Sequence, residues 1–162
     1  MDTEALEAAR AVAFRFISYT PRSRAEIERR LARADFDPEI IAAVVAECEA
    51  LGWVDDEEFA RRWVDDRADR KKYGRTRLAA ELSRKGVDKE AVEAALSATS
   101  EEDELRRALA AARTKWRLQT LADVDEETLQ AEKRRLVNFL QRRGFSWHLI
   151  TQVLSELMAN KE

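Results

Sequence analysis

The stretch "RLAAELSRKGVDKEAVEAALSAT", residues 77–99, decides the fold. Leu78 and Leu82 are one helical turn apart, Gly86 interrupts the spacing, and Val92 and Leu96 resume it. Glycine is the residue that adopts a left-handed conformation at least cost, so it suits the position just past a helix end. Asp88 then supplies a side-chain oxygen of the kind that caps a new helix start. The stretch therefore reads as helix, tight turn, helix.

The same pattern occurs twice more without gaps, in "EIERRLARADFDPEIIAAVVAEC" (26–48) and "RLVNFLQRRGFSWHLITQVLSEL" (135–157). Ile27, Leu78 and Leu136 coincide, as do Leu31, Leu82 and Leu140, then Phe36, Val87 and Phe145. Ile41, Val92 and Ile150 follow, and Val45, Leu96 and Leu154 close the register. Gly86 and Gly144 share the turn position with Asp35, a poorer but tolerated choice. Two residues on, Asp37, Asp88 and Ser146 are all capping types, and Pro38 occupies a first helical position where its missing N–H costs nothing.

A further apolar stripe precedes each pair, over residues 4–18, 55–72 and 102–117. The expected architecture is all-α: three tandem three-helix repeats at 1–52, 53–98 and 99–162, forming an elongated, curved helical array. A longer loop, "RLQTLADV", is expected at 117–124 inside the third repeat. Composition agrees. Four Gly and two Pro in 162 residues are too few to punctuate a sheet protein, and 45% hydrophobic residues suffice for a core. The 38% of charged residues demand a large solvated surface.

No apolar run reaches membrane-spanning length, the acidic start "MDTEALEAAR" is unlike a signal peptide, and the single Cys48 forms no internal disulfide. These features point to a cytoplasmic protein. Cys48 follows the stripe of Ile41, Val44 and Val45 and reads as a buried apolar group.

Catalysis finds no foothold in the motifs. Asp55-Asp56-Glu57-Glu58 stand together, but at the first turn of a helix, where Asp55 or Asp56 caps it and carboxylates favour the positive end of the dipole. A metal site would need ligands converging from separate elements, and the only histidine, His148, is expected at the surface of the last helix. No glycine-rich phosphate loop, zinc spacing or Ser/His/Asp set occurs, so no cofactor, metal or enzymatic activity is expected. Trp63 and Trp116 fall on apolar stripes and read as core, Trp53 as packing at a junction between repeats, and Trp147 as an exposed aromatic.

Net charge is −3, yet residues 61–86 hold ten Lys/Arg against four Asp/Glu. Arg61 with Asp65, Arg62 with Asp66, Asp66 with Arg70 and Asp69 with Lys72 are at helix-pair spacing. Arg67 and Lys71 repel each other, with Arg75 and Arg77 close behind. A second basic run comprises Arg134, Arg135, Arg142 and Arg143, with Trp147 beyond it. These nine residues form the expected RecA- or DNA-binding set, anionic surface being what such clusters meet.

"RSRAEIERRL", "GWVDDEEFARRWVDDR", "YGRTRLAAELSRKGVD" and "RRGFSWHLITQVL" together resemble the RecX family of bacterial recombination regulators. Trp53 to Phe59, Trp63-Val64, Arg67, Gly74, Glu81-Leu82 and Lys85-Gly86-Val87 match its pattern; Asp35 and Trp53 stand where glycine and tyrosine are common. The resemblance implies a non-enzymatic modulator, most often an inhibitor, of the RecA ATPase, strand exchange and coprotease activities in DNA repair and the SOS response. It also implies a partner, the RecA nucleoprotein filament, with DNA met weakly or within that filament and no membrane involved. The chain is expected to act as a monomer. The alternative is a regulator that binds nucleic acid directly, which steep salt dependence on naked DNA would reveal.

Overall fold

The structure is a computed structural model and describes residues 2–118 and 121–159. Among the described residues there are nine helices and no strand: α1 (Thr3–Tyr19), α2 (Arg24–Ala32), α3 (Pro38–Ala50), α4 (Asp56–Lys71), α5 (Arg75–Arg84), α6 (Lys89–Ser97), α7 (Glu101–Arg113), α8 (Glu126–Arg142) and α9 (Trp147–Ala159). The chain is thus all-α, as the spacing of its apolar residues requires. Residues 119 and 120 of the expected loop lie outside the described residues.

The turns inside the repeats share one geometry. Asp35, Gly86 and Gly144 all have positive φ, at 60°, 77° and 88°. Beyond each of them the chain doubles back to bond the helix it has left. The N–H groups of Phe36, Val87 and Phe145 donate to the carbonyls of Leu31, Leu82 and Leu140, the pattern that closes a helix C-terminus. Asp88 and Ser146 cap the following helices through Ala91 N–H and Leu149 N–H. Asp37 departs from the expectation and makes no side-chain cap bond; Pro38 at the first helical turn already removes one orphan donor there.

Two compact units emerge from the packing. One comprises residues 1–62 and 81–95, the other residues 63–80 and 96–162. In the first, α1, α2 and α3 enclose Ala9, Ala13, Ile27, Leu31, Val44 and Val45. In the second, α7, α8 and α9 enclose Ala108, Ala112, Leu136, Leu140, Ile150 and Val153. Ile27, Leu31, Leu78, Leu82, Leu136 and Leu140 are fully buried, each contributing about 1.5–3 kcal/mol of transfer free energy. The residues that coincide in sequence are those that fill the core.

Each unit contains one joint between successive helix triplets, and the two joints use equivalent residues. Aligning the long helices on the buried Ala13, Ala60 and Ala108 places Ala9, Asp56 and Glu104 at one position. In the first unit Asp56 Oδ1 accepts the N–H of Arg24, the first residue of α2, at 2.9 Å. In the second, Glu104 Oε1 accepts the N–H of Arg75, the first residue of α5, also at 2.9 Å. A carboxylate there satisfies an orphan donor and meets the positive end of the helix. Ala9 has no earlier short helix to cap, and a buried alanine suffices.

The facing half of each joint repeats too. Ser23 Oγ donates to the Lys85 carbonyl, and at the equivalent position Gly74 N–H donates to the Arg143 carbonyl at 2.8 Å. Arg29 and Arg77 donate to the carbonyls of Arg84 and Arg142, each at 3.1 Å. Close approach makes the glycines necessary. A Cβ on Gly86 would collide with the side chain of Ala25, and one on Gly144 with the backbone of Arg77.

Three local expectations change. α7 stops at Arg113, so Trp116 lies beyond the helix, although it still packs on the α7–α9 core. Trp53 is exposed and tilted against Phe14, with ring centroids 5.5 Å apart. Arg61 and Arg62 both pair with Glu58 rather than with the aspartates ahead of them, while Asp66–Arg70 forms at 2.9 Å. Glu58 is on the preceding turn, so an acid N-terminal to its base is the favoured order.

Candidate functional site

The four acids at 55–58 disperse into separate structural tasks. Asp55 Oδ1 caps α4 through Glu58 N–H at 3.1 Å, Asp56 caps α2, and Glu58 holds Arg61 and Arg62. Burial pushes the Asp56 carboxyl above its ordinary value, opposed by the Arg24 N–H, while Arg62 and Arg61 hold Glu58 below it. Among the described residues no group of three or more His, Cys, Asp or Glu is placed to hold a metal ion, and no helix is long and apolar enough to cross a membrane. Burial raises the Cys48 thiol, which keeps it protonated and unreactive.

All nine residues of the expected binding set belong to the second unit. Four of them converge. The Arg77 guanidinium stacks on Tyr73 at 3.8 Å from the ring centre and donates to the Arg142 carbonyl. Arg143 reaches the rings of Tyr73 and Phe139, at 5.5 and 5.0 Å, and donates to the Lys71 carbonyl. Lys115 follows, its ammonium 5.6 Å from the Phe139 ring. The result is a ladder in which cation and ring alternate: Arg77, Tyr73, Arg143, Phe139, Lys115. The exposed side chains of Lys71 and Arg142 flank it, because their carbonyls anchor its two arginines.

Stacking has a chemical purpose. A guanidinium lying on a ring gains about 0.5–2 kcal/mol, depending on its desolvation. It is also held in one orientation with its N–H edge available for planar acceptors. The same aromatic-then-Arg spacing of four occurs at Trp63–Arg67, where the guanidinium is 3.8 Å from the ring centre, and within the ladder at Tyr73–Arg77 and Phe139–Arg143. That spacing was present in the sequence and is the signal that would have found Tyr73 and Phe139.

The remaining members of the set are placed apart from the ladder. Arg75 is turned inward. Its side chain donates to the carbonyls of Leu96 and Thr99 at 3.1 and 2.6 Å and faces Glu104 at 3.5 Å, so it serves the joint. Arg135 is engaged by Glu132 at 2.7 Å and by the Lys115 carbonyl. Hydrogen bonding from Arg135, helped by the Arg117 N–H, holds the buried Glu132 below the usual carboxylate range. Arg135 thereby positions Lys115 rather than facing solvent. Arg134 is exposed on α8, and Trp147 is exposed at the start of α9. Chemically the face offers fixed positive charge and stacked guanidinium edges, which suit anionic partners.

Comparison with known proteins follows this geometry closely. Family models for the first, second and third three-helix domains of RecX match residues 9–48, 55–96 and 101–154. A regulatory protein RecX of Mycolicibacterium vanbaalenii is 38% identical over 96% of this chain and 85% of its own. The regulatory protein RecX of Mycobacterium avium is also 38% identical, over 96% and 88%. The crystal structure of RecX from Lactobacillus salivarius superimposes with a TM-score of 0.84 at 20% identity, covering 96% of this chain and 98% of that one.

Proposed function

The chain belongs to the RecX family of regulatory proteins, and from that premise we propose that it binds the RecA–DNA filament in its groove and restrains RecA. Restraint would extend to ATP hydrolysis, strand exchange and coprotease activity, with no chemistry contributed by this chain. We place the repeats at 1–52, 53–98 and 99–162 and the site of action in the cytoplasm, as a monomer. The observation that carries the reading is the cation–aromatic ladder with Lys71 and Arg142 beside it. A filament presents acidic side chains and phosphates together, and chained helical repeats can engage more than one protomer, which favours the assembled form over free subunits.

Direct reading of naked DNA has less in its favour. Arg77 and Arg143 already spend donors on carbonyls of the chain, and the net charge is negative. The test is Lys71→Glu combined with Arg142→Glu. Both side chains are exposed, so the fold is retained. Filament affinity should drop at least about tenfold at low salt, the steering and rim charge being reversed. An unchanged affinity would remove this face from the account.

A further inference from the structure

Four of the five exposed large apolar side chains belong to the first unit: Phe14, Tyr19, Leu51 and Trp53, at 58%, 82%, 55% and 47% exposure. They do not scatter. Trp53 forms the ridge between two adjoining clefts. One, of about 270 Å3, is a groove between helices: α1 contributes Arg10 and Phe14, α3 contributes Val44, Glu47 and Cys48. The other, of about 350 Å3, lies on the far side of Trp53 and is lined by Tyr19, Pro21 and Phe59. The Phe14–Trp53 ring contact holds the ridge upright.

Charge excludes one class of occupant. Every charged group at these clefts is already engaged within the chain. Arg10 pairs with Glu47 at 2.7 Å, Arg62 with Glu58 at 2.8 Å, Arg22 lies over Phe16 and faces Glu26, and Asp55 caps α4. No cation is left over for phosphate, in contrast to the ladder face of the second unit. Area excludes another. At 150–250 Å2 for a whole aromatic side chain, the exposed part of the patch is roughly 400–550 Å2. A stable dimer needs about 800 Å2 from each partner, so a second copy of this chain is too large an occupant for too small a patch.

Geometry selects the class that remains. Residues 10 and 14 of α1 and 44, 47 and 48 of α3 line the groove as two helical ridges. An amphipathic helix lays its apolar side chains into such a groove. Among the described residues no strand offers an edge to an extended peptide. We infer that the α1–α3 groove with its Trp53 ridge is a docking site for an amphipathic helix of a protein partner, whose apolar side chains straddle Trp53. This rests on the function proposed above in one respect: the partner used to test it is RecA. Two separate attachments then act together, a charged one through the ladder and an apolar one here.

The experiment measures binding of the full chain to RecA filaments on single-stranded DNA, to DNA-free RecA and to naked single-stranded DNA, at low and high salt. Trp53→Ala with Phe14→Asp is compared with the parent, and Leu51→Asp serves as a second variant at an exposed helix end. Circular dichroism confirms that helicity is retained. Affinity for both forms of RecA should fall at least about tenfold, as for loss of an aromatic anchor, with the deficit persisting at high salt and naked-DNA binding untouched. A loss below twofold in both variants, with the parent binding normally, overturns the docking site and leaves the proposed function standing. An equal loss on naked DNA assigns the patch to nucleic acid, and a parent dimer that the variants dissociate assigns it to self-association; either overturns the inference. A parent that binds neither form of RecA overturns the proposed function itself.

Discussion

Replacing Glu104 by alanine tests the joint chemistry most severely. Glu104 is 5% exposed, accepts the Arg75 N–H at 2.9 Å and faces the Arg75 guanidinium at 3.5 Å. Loss of a hydrogen bond to a charged acceptor costs about 1.5–3 kcal/mol, and the stranded helix-terminal N–H adds to it. The ion pair contributes less than a buried one, because the Arg75 side chain is 39% exposed and screened. Arg107 also suffers. Burial already pushes its guanidinium below its ordinary value, and Glu104 is the nearest group acting against that. The expected loss is therefore about 2–4 kcal/mol, or a fall in melting temperature of roughly 5–10 °C for a chain of this size. Glu104→Gln keeps an acceptor for the Arg75 N–H and should lose about half as much. Urea titration followed by circular dichroism gives the free energies, and hydrogen exchange at the Arg75 amide gives the local readout. A Glu104→Ala loss under about 0.5 kcal/mol, with Arg75 exchange unchanged, would refute the role of this carboxylate.

Two further expectations follow from backbone and titration. Gly52→Ala and Gly144→Ala both force a left-handed alanine, at φ of 72° and 88°, but only Gly144 faces a neighbour. Gly52→Ala should cost about 1–2 kcal/mol, whereas Gly144→Ala, which drives a Cβ into the Arg77 backbone, should exceed about 3 kcal/mol; chemical denaturation of the pair separates strain from collision. Glu132 titrates below its ordinary value in the folded chain. Its stabilisation is thus complete above its unfolded pKa of about 4.3 and disappears as pH falls through the lower folded value. Glu132→Gln should lower stability at pH 7 and flatten the acid limb of the stability–pH curve, measured by urea midpoints from pH 7 downward. Asp56, raised by burial, has the opposite sign: stability declines as pH rises from its unfolded to its folded pKa, and Asp56→Asn should remove that slope.

The helices were legible because burial imposes a strict period on them. Ile27, Leu78 and Leu136 recur at one register and are all fully buried, and the glycines at 86 and 144 mark turns that no other residue closes so cheaply. The joints were not legible. Asp56 reads as part of an acidic helix start and Glu104 as another exposed acid, since nothing local reveals that each caps a helix some thirty residues earlier. Charge was misleading in the same way at Arg75 and Arg135, whose surroundings in sequence look basic but whose partners come from other helices. The ladder was half visible. Its arginines were conspicuous as charge, while Tyr73 and Phe139 became part of it only once the helices brought the rings between them.

The measurement that tests the central claim most directly is the steady-state rate of ATP hydrolysis by RecA on single-stranded DNA as this chain is added. A regulator that engages assembled filament should depress the rate at concentrations well below that of RecA, and Lys71→Glu with Arg142→Glu should shift the titration to higher concentrations. A rate that stays constant up to equimolar protein, with the chain folded and the RecA taken from the same organism, would contradict the account.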